Sequence, residues 1–335
     1  MRKWTRISFP LAIVWFLAAC NLAQFGSSAP TGEPPAAATA TGTPVPPAAD
    51  TPAETVAFTG APPGEPPTAV SSWLTDPLSP DKPKDDYAVA GDDFAIDRYE
   101  RPFDAQLAYR ADLDIVKASL VRAGDWLYAA IELADVNPAS RTLGADYGIE
   151  IDDNLDGRGD YVVWARPPFT AEWTRATVSV YGTSTNMVGG PTPLKSDAPW
   201  TGATYDTTLF DPNDSARNMA WARISPENPK ILQIAFSPDL LKVPDRFLWG
   251  AWADDGVKDP AKFDYNDAFT KQEAGSAYKW DPDYPPKALT SVDNTCRAPF
   301  GFNAKGNEPG ICEIAPPPGK QPSGPTPTRT LVPPF

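Results

Sequence analysis

Ile115-Val-Lys-Ala-Ser-Leu-Val121 alternates apolar and polar side chains, Gly124-Asp125 interrupts the run, and Trp126-Leu-Tyr-Ala-Ala-Ile-Glu-Leu133 resumes it. In the second half Leu127, Ala129, Ile131 and Leu133 share one face, and Trp126 and Tyr128 the other. Period-two patterning on both sides of a Gly-Asp turn predicts a β-hairpin with one face buried. The same periodicity predicts strands at 147–151, 161–165, 177–181, 221–224, 230–236 and 246–253. Helical signals are few. Ser237 as N-cap and Pro238 at the first position predict one helical turn to Leu241, and Tyr265 to Glu273 reads as a second short helix. The pattern is that of a mainly β chain, an antiparallel, jelly-roll-like β-sandwich with few short helices.

Proline sets the outer limits of that domain. The 335 residues include 41 prolines, concentrated toward the two ends. Residues 20–70 are rich in Pro, Ala, Thr and Gly, and no Lys or Arg occurs between Arg6 and Lys82. Such a stretch buries too little apolar surface to offset its chain entropy and is expected to be a disordered tether. Residues 315–335 are proline-rich again and are expected to be a disordered tail. The sandwich is therefore assigned to residues 71–293, followed by a cysteine-bounded loop at 294–314.

Ahead of the tether, residues 1–19 combine Arg2, Lys3 and Arg6 with an apolar run from Phe9 to Leu17, the parts of a secretory signal. Leu17-Ala18-Ala19-Cys20 resembles a lipobox, which implies that Cys20 is acylated and that the mature chain is anchored to a bacterial membrane on its outer side. The apolar run is too short to span a bilayer comfortably. The formal charge is −14, and loss of Arg2, Lys3 and Arg6 with the signal leaves −17, which argues against nucleic acid and anionic lipid as partners. There is no histidine. That removes the commonest general base and the commonest zinc and haem ligand, so neither zinc nor haem is expected. Cys296 and Cys312, in an exported chain, are expected to form a disulfide. Gly and Pro residues between them leave no regular element to hold that loop, so the crosslink is read as its staple.

One loop points to a ligand. Between the predicted strands ending at Ile151 and starting at Tyr161 runs Asp152-Asp-Asn-Leu-Asp-Gly-Arg-Gly-Asp160. Side-chain oxygens of Asp152, Asn154, Asp156 and Asp160 stand at positions 1, 3, 5 and 9, with Gly157 at 6 and the Arg158 carbonyl at 7. Oxygen donors at alternate positions around a glycine turn suit calcium, a hard ion taking six to eight oxygens. An EF-hand needs a Glu at position 12, and Val163 stands there. The loop instead resembles the Asp-x-Asp-x-Asp-Gly-x-x-Asp calcium hairpins of integrin α-subunit propellers, which implies calcium in a structural role. Arg158-Gly159-Asp160 also spells an integrin-recognition tripeptide, and that reading is set aside because Asp160 serves the loop. A second acidic run, from Asp254-Asp255 through Asp259, Asp264, Asn266 and Asp267, matches no defined cation loop; a solvated acidic stretch is the preferred reading and a second cation site the alternative.

Trp126, Tyr128 and Trp164 lie on strand faces opposite the apolar ones. Exposed rings on a sandwich can stack on sugars, and the competing reading packs them under loops or against the N-terminal segment around Trp73, Tyr99 and Phe103. The Ile149-Glu-Ile-Asp-Asp-Asn154 segment, the Tyr161-Val-Val-Trp164 strand and the strand order make residues 87–293 similar to family 9 carbohydrate-binding modules and DOMON-like domains. The resemblance implies non-catalytic ligand binding, often of glycan. DOMON haem sites use His or Met, and only Met187 and Met219 follow the signal. Two alternatives remain open: an envelope module that binds no small ligand, and a carboxylate-based glycoside hydrolase, which needs two carboxylates about 5–10 Å apart.

Overall fold

A computed structural model describes residues 62–79, 100–185, 205–213, 220–241, 245–259, 280–283, 285 and 291–312. The signal segment, Cys20, most of the tether, the 265–273 helix, Met187, Met219 and the 315–335 tail lie outside these residues. No helix among the described residues is long and apolar enough to cross a membrane.

The described chain is an antiparallel β-sandwich of two sheets. One sheet runs β1 (Ser72–Thr75), β3 (Ile115–Ala123), β4 (Trp126–Leu133), β10 (Ile231–Phe236), β9 (Ala220–Ile224). The other runs β2 (Glu100–Arg101), β12 (Val292–Asn294), β11 (Phe247–Asp254), β5 (Asp146–Asp152), β6 (Tyr161–Ala165), β7 (Val178–Gly182), β8 (Thr207–Phe210), with β13 (Ala298–Phe300) also paired to β11. The β3–β4 hairpin turns at Gly124, whose φ of 57° is left-handed backbone that glycine adopts without steric cost. Its register pairs Leu120 with Ala129 and Ala118 with Ile131, so both strands turn the same alternate residues inward. Those residues meet Ile149, Ile151, Val163, Val180 and Trp249 of the facing sheet in one core. The only helix among the described residues is the single turn α1 (Pro238–Leu241), where the Ser-Pro signal places it.

Three features depart from the sequence reading. The tether ends sooner than residue 70, because residues 62–70 are already placed: Pro63 is buried and the Glu65 carboxylate is forked onto Arg223 at 2.9 and 2.5 Å. An extended Pro-rich strap needs no internal hydrogen bonds, so a sheet surface and one buried cation suffice to hold it. The loop between Cys296 and Cys312 is not free of regular structure either. β13 pairs Phe247 with Phe300, whose rings stack at 4.9 Å, and Arg297 bridges Ile311. Finally, β1, β2, β8 and β12 were not foreseen; they are two to four residues long, and their pairing partners fix them.

Candidate functional site

Two places on the sandwich gather chemistry. The first is the 152–160 loop, which joins β5 to β6 as a strand-flanked turn. Asp152 is fully buried, and both its carboxylate oxygens cap the turn. Its Oδ1 accepts from the N–H groups of Leu155 at 2.6 Å and Asp156 at 3.2 Å, and its Oδ2 from Gly157 at 2.9 Å. Asn154 Oδ1 accepts from Asp156 N–H at 2.9 Å, and Asp156 Oδ1 from Arg158 N–H at 2.9 Å. Asp160 Oδ2 accepts from the N–H groups of Asp153 and Asn154, and its Oδ1 from Asn154 Nδ2 at 3.0 Å. The predicted set is thus brought into one turn, with Asp152, Asn154, Asp156 and Asp160 each accepting from the loop's own donors. Burial, followed by the neighbouring Asp153 carboxyl, pushes Asp160 up to about 7. Burial likewise raises Asp152, opposed first by the Arg297 guanidinium. As the side chains stand, no three acidic or cysteine groups among the described residues converge closely enough to hold a metal ion.

The disulfide loop is the platform beneath this turn. Cys296 and Cys312 are bonded. Gly157 rests on Pro309, so a Cβ there would come within 2.3 Å of the Pro309 Cβ. Buried Arg297 donates to the Gly157 carbonyl and, at 3.3 Å, to Glu150 Oε2. Glu150 also accepts from Tyr205 OH at 2.6 Å and Trp252 Nε1 at 3.1 Å. Sequence reasoning missed Arg297, Glu150 and Tyr205. Glu150 alternates with Ile149 and Ile151 and reads as solvent-facing, because periodicity does not tell that a distant loop covers that face.

The second place is the outer face of the five-stranded sheet. A cavity of about 420 Å³ opens there between the sheet and the strap, lined by Tyr128, Arg223, Gln233, Ser119, Glu65 and Glu227 among others. Arg223 lies 4.4 Å over the Trp173 ring, and its Nε donates to Gln233 Oε1 at 2.7 Å. Tyr128 and Trp173 meet tilted, 6.3 Å between ring centroids. Trp126 is half-buried beside them, so Trp126 and Tyr128 pack with Trp173 and not with Phe103, which pairs with Tyr109 elsewhere. By register, Trp73 stands on the same outer face at the β1 edge, opposite Ser119, and is 61% exposed. Arg223, Gln233 and Trp173 escaped the sequence reading, although the β9 and β10 alternation does turn Arg223 and Gln233 outward.

Trp164 is corrected. It lies on the other sheet with no exposed surface, stacked over Gly148 of β5 and donating from Nε1 to Asp146 Oδ2 at 3.2 Å. A ring so covered cannot serve as a stacking platform. In the second acidic run, Asp254 caps its own turn by accepting from Gly256, Val257 and Lys258 N–H groups, and Asp255 pairs with Arg110 and Lys258, each at 2.5 Å. Asp264, Asn266 and Asp267 lie outside the described residues. The chain matches no protein-family model and no curated protein.

Proposed function

We propose that this chain is a non-catalytic, lipid-anchored extracytoplasmic protein that binds glycan on the outer face of its five-stranded sheet, with calcium stiffening the 152–160 loop. The observation that carries the glycan reading is the cavity under the strap. It sets the Tyr128 ring and Val121 beside Arg223, Gln233 and Ser119, and sugars are recognised by that pairing of apolar surface with fixed hydrogen-bonding groups. Tyr128→Ala is expected to weaken binding of glycan-array hits at least tenfold by titration calorimetry on the folded protein and, because the ring is only 6% exposed, to lower the melting temperature as well. An array with no hits at millimolar sensitivity would favour the envelope module without a small ligand.

At the loop, Asp152, Asn154, Asp156, Asp160 and the Arg158 carbonyl would hold the ion, which supplies the positive charge that a turn with this many carboxylates lacks. The close Asp153 and Asp160 carboxyls speak for such a charge. A weak site suffices outside the cell, where calcium is abundant, and binding to the folded state alone raises its stability by mass action. Calcium is therefore expected to raise the melting temperature by several degrees, and Asp156→Ala to remove part of that rise without touching glycan affinity. A melting curve indifferent to calcium sinks this half of the reading and leaves the groove untouched.

A further inference from the structure

Arg223 is built as an anchor for a carboxylate, and the carboxylate it holds comes from the strap. The β9–β10 register sets Arg223 directly opposite Gln233, whose Oε1 accepts from Nε at 2.7 Å, and the guanidinium lies 4.4 Å over the Trp173 ring. Those contacts use Nε and one face of the group. Nη1 and Nη2 donate to the two oxygens of Glu65 at 2.9 and 2.5 Å. A planar fork fixed in this way recognises a carboxylate through two parallel bonds. The two partners differ sharply in burial: the Arg223 side chain is 5% exposed, that of Glu65 78%. The strap has other holds on the sheet, because Pro63 is buried and the Gly64 backbone hydrogen-bonds Tyr128. Glu65 can therefore leave the fork by turning its side chain, with the strap still in place.

Among the described residues lining the cavity, Arg223 is the only Lys or Arg, and Tyr128, Gln233, Ser119 and Ser225 line it too. We infer that the groove selects glycans bearing one uronate, whose carboxylate takes the place of Glu65 on Arg223 while the sugar lies in the cavity beside Tyr128 and Val121. The inference rests on the glycan reading above and adds the ligand's charge to it. A neutral sugar that broke the Arg223–Glu65 pair would leave a largely buried guanidinium without its countercharge, whereas a uronate restores both bonds. Glu227 on the same wall and the chain's formal charge of −14 disfavour a run of acid groups, so a single uronate fits better than a polyuronate. Glu65 then acts as a tethered competitor, lowering the apparent affinity by the fraction of protein in which it fills the fork. An ion pair with one exposed partner is weak, so the ligand displaces it readily.

An array of oligosaccharides that each carry one glucuronate or galacturonate, paired with the same oligosaccharides after reduction of the carboxyl to an alcohol, tests the assignment, with hits titrated by calorimetry. The acidic member of a pair is expected to bind about tenfold or more tightly than its reduced counterpart. Glu65→Gln, at an exposed position, should keep the native circular dichroism and raise affinity for the acidic member about two- to sixfold, the gain expected when a weak ion pair stops competing. The reduced member should bind Glu65→Gln as it binds the parent. Arg223→Gln should erase the preference for the acid; should that variant fail to fold, Glu65→Gln carries the test. Equal affinity for the two members, or hits among the reduced ones only, overturns the inference and leaves the glycan reading standing. So does a Glu65→Gln protein that melts lower without binding the acid more tightly, since the pair is then a structural clasp. No hit of either kind removes both.

Discussion

Replacing Arg297 with Met is expected to destabilise the sandwich by about 3–5 kcal/mol, the loss typical when one member of a buried ion pair is removed. The guanidinium is 5% exposed and joins the Gly157 carbonyl to the Glu150 carboxylate. Met fills much of the volume but leaves Glu150 buried among Tyr205 and Trp252 with two neutral donors and no countercharge. The Gly157 carbonyl loses its donor at the same time, and Asp152 loses the cation that most opposes its burial. Lys at 297 should rescue little, because a compact ammonium lacks the planar fork that reaches both acceptors. Glu150→Gln in the Arg297→Met background should recover a good part of the loss, since a neutral amide in place of the carboxylate removes the unpaired charge. Urea denaturation midpoints decide the matter. An Arg297→Met protein within about 0.5 kcal/mol of the parent, the range of ordinary surface changes, would mean that the guanidinium is not the loop's foundation.

Arg297 also shows where sequence reading stops. Alternation exposed the β3–β4 hairpin, β5 and β6, because a buried face leaves a period of two in the chain itself. The Asp152–Asp160 turn was legible for the same local reason: its donors and its glycine sit within nine residues. What covers a face is not local. Glu150, Trp164 and Asp146 fall on the side of β5 and β6 that alternation assigns to solvent, yet all three are buried, with Tyr205 and Arg297 packed beside Glu150. A group of four buried carboxylates is less legible still, because Asp76 after β1, Glu100 in β2, Asp114 before β3 and Asp293 in β12 lie far apart in the chain and meet only when the sheets stack. The strap over the outer sheet was hidden by composition. A Pro-rich segment reads as unfolded, and nothing in it announces that Glu65 finds a buried guanidinium across the sheet.

Trp164→Ala is expected to cost about 3–5 kcal/mol, as truncation of a fully buried large aromatic does. The ring covers Gly148 directly across the β5–β6 ladder, so its loss opens a void that no Cβ on the partner strand fills. Trp126→Ala, at a half-buried position, should cost much less. The indole also donates to Asp146, and Trp164→Phe separates that bond from the packing by keeping a ring without the N–H. Burial raises Asp146 to about 6, while Trp164, Arg166 and Lys258 pull it down and Asp254 pushes it up. A carboxyl whose folded pKa is raised favours the fold in its neutral form, so that stability is complete below the unfolded value of about 3.9 and is lost as pH climbs through about 6. Removing the indole donor raises Asp146 further. The penalty of Trp164→Phe should therefore be larger at pH 7.5 than at pH 4, read from denaturation midpoints at both. A Trp164→Ala protein that instead melts like the parent but no longer binds glycan would return this tryptophan to the ligand site.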